Sequence, residues 1–95
     1  MKIVYKDTFV NRLEKQLKYI SIDNPSAARK LKRDLIEKIK GIPPNPLKFR
    51  QSIYFDNVLV RDLIFKGYTV VFRINENVIE VFGLVKFQEN PTDLK

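Results

Sequence analysis

The chain has 95 residues, 44% hydrophobic and 31% charged, and its 18 Lys and Arg outnumber 11 Asp and Glu for a net charge of +7. That length suits one domain around one core, so residues 1–95 read as a single unit. The absence of cysteine excludes disulfides and thiolate metal sites, and the absence of histidine removes the commonest general acid–base group and metal ligand.

The segment KIVYK (2–6) is short, alternating and β-rich, which predicts a strand. From Phe9, apolar residues recur at Val10, Leu13, Leu17 and Ile20, a helical stripe that leaves Arg12, Lys15 and Lys18 outside it. Asp7 or Thr8 is the expected N-cap. A second helix is expected from Asn24 as N-cap, with Pro25 at its first position, where the missing N–H costs nothing. Ala27, Ala28, Leu31, Leu35, Ile36 and Ile39 form its stripe; Gly41 ends it and PPNP (43–46) prevents continuation. The short link SIDN between the helices predicts an antiparallel hairpin.

After the prolines the hydrophobic period becomes two. SIYF (52–55), VLVRDLIF (58–65), YTVVFRI (68–74) and VIEVFGLVKF (78–87) read as antiparallel strands, separated by Asp56-Asn57, Lys66-Gly67 and Asn75-Glu76-Asn77. Tyr68, Val70, Phe72 and Ile74 share one face, expected to pack on the helices, while Thr69, Val71 and Arg73 face a partly wet side. QENPTDLK (88–95) has no core pattern and is expected on the surface. The predicted class is α+β: an N-terminal strand and a two-helix hairpin on one face of a three- to four-stranded antiparallel sheet.

The excess positive charge favours anionic partners: nucleic acid, an anionic membrane or an acidic protein. Apolar runs fall far short of the roughly 20 residues a membrane span needs, and the N-terminus lacks a secretory pattern. A soluble cytoplasmic protein is expected. No cluster of ligands suggests a metal or organic cofactor.

Three segments carry a resemblance: YISIDNPSAARKL, VRDLIFKGYTVVFRI and LVKFQENP. In this order and spacing they resemble the RelE/ParE superfamily of toxins from type II toxin–antitoxin systems, over nearly the whole chain. The resemblance implies one of two mechanisms on one fold. RelE-like members are ribosome-dependent endoribonucleases that cut mRNA; ParE-like members poison DNA gyrase by protein–protein contact. It also implies a cognate acidic antitoxin whose C-terminal part wraps the toxin in a hetero-oligomer.

Cutting RNA through its own 2′-hydroxyl needs a base, an acid and cations around the phosphate. Where nuclease relatives carry an arginine this chain has Thr69, and where they carry two lysines it has Val60 and Asp62. Lys86 and Gln88 stand where they often carry a histidine and an arginine. The remaining proton-moving groups are Lys86, Glu80, Asp62 and the tyrosines. No catalytic residue is assigned; for a nuclease the candidates are Arg61, Arg73 and Lys86. The resemblance therefore points to a ParE-like toxin aimed at gyrase. An atypical ribosome-dependent nuclease and a decayed, non-toxic member that only binds antitoxin are the alternatives.

Candidate contact residues for target or antitoxin are Arg29, Arg33, Lys40, Arg61, Arg73, Lys86, Phe87 and Gln88. Arg29, Arg33 and Lys40 share the helix face opposite Leu31 and Leu35. A solvated face laced by Lys30–Asp34, Asp34–Lys38 and Arg33–Glu37 accounts for the same charges. Arg61 and Arg73 read either as one basic patch on the sheet or as arginines paired with Asp62, Glu80 or a strand-end carbonyl. Strand addition at an open sheet edge is a further available mode of antitoxin binding.

Overall fold

A computed structural model describes residues 1–86. The elements run β1 (Lys2–Tyr5), α1 (Asp7–Asp23), α2 (Pro25–Lys40), a 3-10 turn (Pro46–Lys48), β2 (Arg50–Gln51), β3 (Val60–Phe65), β4 (Tyr68–Asn75) and β5 (Val78–Lys86). The helical hairpin lies against one face of a sheet ordered β1-β5-β4-β3-β2, which is the α+β class expected. The sheet has five strands because β1 joins it, and that one pairing is parallel: Lys2 sits beside Val78 and Tyr5 beside Val81.

Helix α2 begins as its sequence dictates. Asn24 Oδ1 accepts the Ala27 N–H at 3.1 Å, and Pro25 follows at the first position. Helix α1 differs from expectation at both ends. Lys6 occupies its N-cap without a side-chain bond, and Asp7 in the first turn complements the helix dipole instead. Thr8, freed from capping, donates its hydroxyl to the Phe82 carbonyl. At the far end α1 continues through Asp23, so Asn24 alone separates the helices.

Thr8 also explains how β5 is closed off. Strand β1 stops beside Val81, and beyond it Lys6 N–H bonds Val81 O, Thr8 bonds Phe82 O and Arg12 Nη1 bonds Leu84 O. One helix thus covers an edge that would otherwise present bare carbonyls.

The core lies between hairpin and sheet. Phe9, Leu13, Leu35, Ile39 and Ile42 pack against Leu63, Tyr68, Val70, Phe72, Ile79, Val81 and Leu84. Each fully buried aliphatic or aromatic side chain contributes about 1.5–3 kcal/mol by leaving water. A bulge at Phe82, between the Phe72–Val81 and Val71–Gly83 pairs, keeps both halves of β5 in phase with β4. At that point Gly83 faces Val71 so closely that a Cβ would lie 3.1 Å from the valine's own.

The segment expected as a strand at 52–55 is a loop, and β3 starts at Val60 rather than Val58. Side chains take the backbone donors a ladder would need: Ser52 Oγ accepts from Tyr54 N, Asp62 Oδ2 from Ile53 N, and Asn57 Oδ1 from Leu59 N. The loop folds over the second face of the sheet, where Phe55 meets Phe82 edge-on with centroids 5.4 Å apart. That face was expected to be partly wet, yet Val60, Asp62, Thr69 and Val71 are buried on it.

Candidate interaction surfaces

Arg61 and Arg73 lie on adjacent strands but do not form one patch. Arg61 sits opposite Phe72 and Arg73 opposite Val60. Cross-strand partners share a face and successive residues alternate, so the two arginines leave the sheet on opposite sides. Arg61 fastens the chain around β3: Nε donates to Val58 O at 2.8 Å and Nη1 to Phe49 O at 3.0 Å. Exposed Arg73 pairs with Glu80 Oε1 at 2.9 Å, while Asn75 Nδ2 donates to Oε2. The hydrogen bond from Arg73, and then that from Asn75, holds the Glu80 carboxyl below its ordinary value. A carboxylate held in this way is a poor proton acceptor.

The positions that the resemblance sets against nuclease cations are closed. Val60 is 4% exposed, Asp62 2% and Thr69 7%. The register puts all three on the face beneath the 52–59 loop. Asp62 does not pair with Arg61, as one reading of the sequence allowed. Its Oδ2 takes Arg50 Nε at 3.2 Å, Arg50 Nη2 at 3.1 Å and Ile53 N at 3.2 Å. Sequence reasoning missed this pair because Arg50 falls before the segment read as a strand; the pairing of Arg50 with Asp62 across β2 and β3 creates it.

On the hairpin, Lys30 Nζ reaches Asp34 at 3.1 Å and Arg33 Nε reaches the same carboxylate at 3.5 Å. Asp34, its pKa lowered first by the Lys30 hydrogen bond, thus gathers two cations. Neither Arg33–Glu37 nor Asp34–Lys38 forms an ion pair among the described residues. Lys40 stays exposed at the end of α2. Arg29 turns to a different task. It lines a cleft of about 670 Å³ between the helices, with Leu17 and Ala28 as apolar lining and Lys15, Lys18 and Lys32 as further cations. The signal for this cleft was present in the sequence, as cations flanking both apolar stripes, but it becomes a surface only once the hairpin brings the flanks together.

Lys86 ends β5, exposed, and lines a smaller crevice with Arg12 and Lys15. Phe87 and Gln88 lie outside the described residues. Among the described residues the opposite sheet edge is open: β2 pairs only with Arg61 and Asp62, leaving Leu63–Phe65 of β3 with a strand partner on the β4 side alone. Lys38, Lys48 and Phe49 flank that edge, and Lys38 and Lys66 lie over the Phe65 ring at 5.9 and 5.4 Å. Among the described residues no group of three or more carboxylates is placed to hold a metal ion, and no helix is long and apolar enough to cross a membrane.

A family model described as the ParE toxin of the type II toxin–antitoxin system parDE matches residues 3–90. Among solved structures, one described as the chromosomal ParDE TA system from P. aeruginosa superposes with a TM-score of 0.76 at 16% identity. The match covers 93% of this chain and 97% of that one. No curated relative matches the sequence.

Proposed function

We propose that this chain, which belongs to the ParE toxin family of type II toxin–antitoxin systems, acts by gripping a macromolecule, DNA gyrase, and not by cutting RNA. One observation supports this most: Val60, Asp62 and Thr69, where a phosphate-cutting site would need cations and a base, are buried under the 52–59 loop. Asp62 is already committed to Arg50 and the Ile53 N–H. Glu80 is held ionised by Arg73 and Asn75, and Arg61 is spent on backbone carbonyls. An RNA substrate reaching this face would have to displace the loop, and would find no free proton acceptor beneath it among the described residues.

The partner that silences the toxin is an acidic antitoxin of the ParD type. The hairpin cleft, apolar at Leu17 and Ala28 and lined by Lys15, Lys18, Arg29 and Lys32 against a single carboxylate, Glu14, suits an amphipathic helix with acidic flanks. The open β3 edge at Leu63–Phe65 suits a following extended segment, with Lys38, Lys48 and Lys66 as its electrostatic guides.

Expressing the chain without its antitoxin tests the reading. Gyrase–DNA adducts and a block in replication are the expected result. Cleaved mRNA in a programmed ribosome, with translation lost first, would overturn it. Growth without arrest would favour a member that retains antitoxin binding alone.

A further inference from the structure

The crevice at the ends of β4 and β5 is not used by any part of that reading. It encloses about 360 Å³ and is lined by Arg12, Lys15, Gln16, Tyr68, Leu84 and Lys86. Among the described residues its lining holds three cations and no carboxylate. Among the described residues none of the three makes an ion pair, whereas Asp34 gathers two cations on the next helix. Arg12 is held in place by one bond, from Nη1 to Leu84 O at 3.3 Å, which uses one of its donors. Gln16 Nε2, in the same wall, is buried and has no acceptor among the described residues. Buried amide donors are nearly always paired, and a rotation of the Gln16 side chain toward the crevice it lines would give this orphan an acceptor entering there.

We propose that this crevice binds a phosphate group of a nucleic-acid backbone. A guanidinium, two ammoniums and an amide around one cavity offer donors from several directions. A tetrahedral oxyanion carries acceptor oxygens on every side and can accept from several of them at once, whereas a carboxylate presents its two oxygens in one plane. A polymer is favoured over a free anion because the cations continue. Lys15 lines both the crevice and the hairpin cleft, and Lys18, Arg29 and Lys32 extend the track along the hairpin, with Glu14 as the one carboxylate in that lining. Successive phosphates along one strand can follow such a track.

The test uses the full chain and fluorescein-labelled 20-nucleotide single-stranded and duplex DNA in about 0.15 M salt, with nitrogen-15 NMR of the Gln16 side-chain amide. Changing Lys15→Gln and Lys86→Gln together keeps both aliphatic stems on exposed positions. This double variant is expected to bind at least tenfold more weakly, and its log–log salt slope to fall by about 1.5–2. A control with Lys38→Gln and Lys48→Gln removes equal charge elsewhere and should weaken binding less than threefold. The Gln16 amide signals should move on adding DNA. If inorganic pyrophosphate moves them as effectively, the site takes free phosphate anions through the same chemistry. Equal weakening by the control, an unmoved Gln16 signal, or displacement of DNA by poly-glutamate at matched charge would each overturn the proposal.

Discussion

Arg50 donates through both Nε and Nη2 to a single oxygen of Asp62, and the two ends of this pair live in different media. The Asp62 side chain is 0% exposed and the Arg50 side chain 43%. The asymmetry decides which deletion hurts more. Among the described residues, Arg50→Ala leaves a buried carboxylate with only the Ile53 N–H, and its Oδ1 already lacks a partner. Asp62→Ala leaves an arginine that water can reach.

The expected cost of Arg50→Ala is therefore about 3 kcal/mol and that of Asp62→Ala about 2 kcal/mol, although Arg50 is the exposed member. The double variant should be more stable than Arg50→Ala alone. Urea unfolding of all four proteins gives the coupling directly. A double variant no more stable than Arg50→Ala would mean that the buried charge is not what the arginine compensates.

The turn between β4 and β5 carries a second asymmetry. Asn75 pairs with Val78, so Glu76 and Asn77 are its central residues, and only Glu76 has positive φ, at 56°. Glycine adopts that conformation without the Cβ penalty. Glu76→Gly is thus expected to stabilise the fold by about 0.5–1 kcal/mol, or to raise the melting temperature by about 2–8 °C. Calorimetry reads this, and an unchanged or lowered melting point would show that the turn stores no such strain.

What the sequence disclosed and what it withheld divide along one physical line. The hairpin was legible because its determinants are local: Asn24 caps within three residues, Pro25 fixes its own φ, and the stripe from Ala28 to Ile39 has the helical period. The second face, read as partly wet, is covered more fully than expected because its cover is non-local. Ile53, Tyr54 and Phe55 are strand-forming types, and the bonds that Ile53 N–H donates to Asp62 and Tyr54 N–H to Ser52 hold the segment as a loop. The parallel docking of β1 on β5 is likewise decided by residues 76 positions apart, such as Lys2 and Val78. Candidate sites fared the same way. Arg61 and Arg73 looked like neighbours because each has a charged side chain on an adjacent strand, but the β3–β4 register puts them on opposite faces.

Glu80 gives the fold a response to acid. Its folded pKa is depressed below the ordinary 4.5 by the hydrogen bonds from Arg73 and Asn75. A depressed carboxylate stabilises the folded state above its unfolded pKa, and that contribution is lost as pH falls from about 4.5 through the folded value. Carbon-detected NMR titration of the Glu80 side chain should show a midpoint below the ordinary value. Arg73→Ala should return the midpoint upward, because it removes the largest cause. A midpoint indifferent to Arg73 would show that the ion pair is not maintained in solution.

The cleft between the helices makes a kinetic prediction. Arg29 and Lys32 line it and are exposed on α2, where neither forms an ion pair among the described residues. Reversing both, Arg29→Glu with Lys32→Glu, removes no core contact and should change unfolding free energy by about 0.5 kcal/mol or less. An acidic antitoxin, by contrast, meets repulsion where it met attraction. Its association rate should fall about tenfold or more at low salt, with a smaller change in dissociation, because rim charges act mainly on encounter. At about 0.5 M salt, where the Debye length is well under 10 Å, the two association rates should converge. Stopped-flow mixing at several salt concentrations separates these terms. A defect confined to dissociation and insensitive to salt would place the antitoxin elsewhere, with the open β3 edge at Leu63–Phe65 as the next surface to probe.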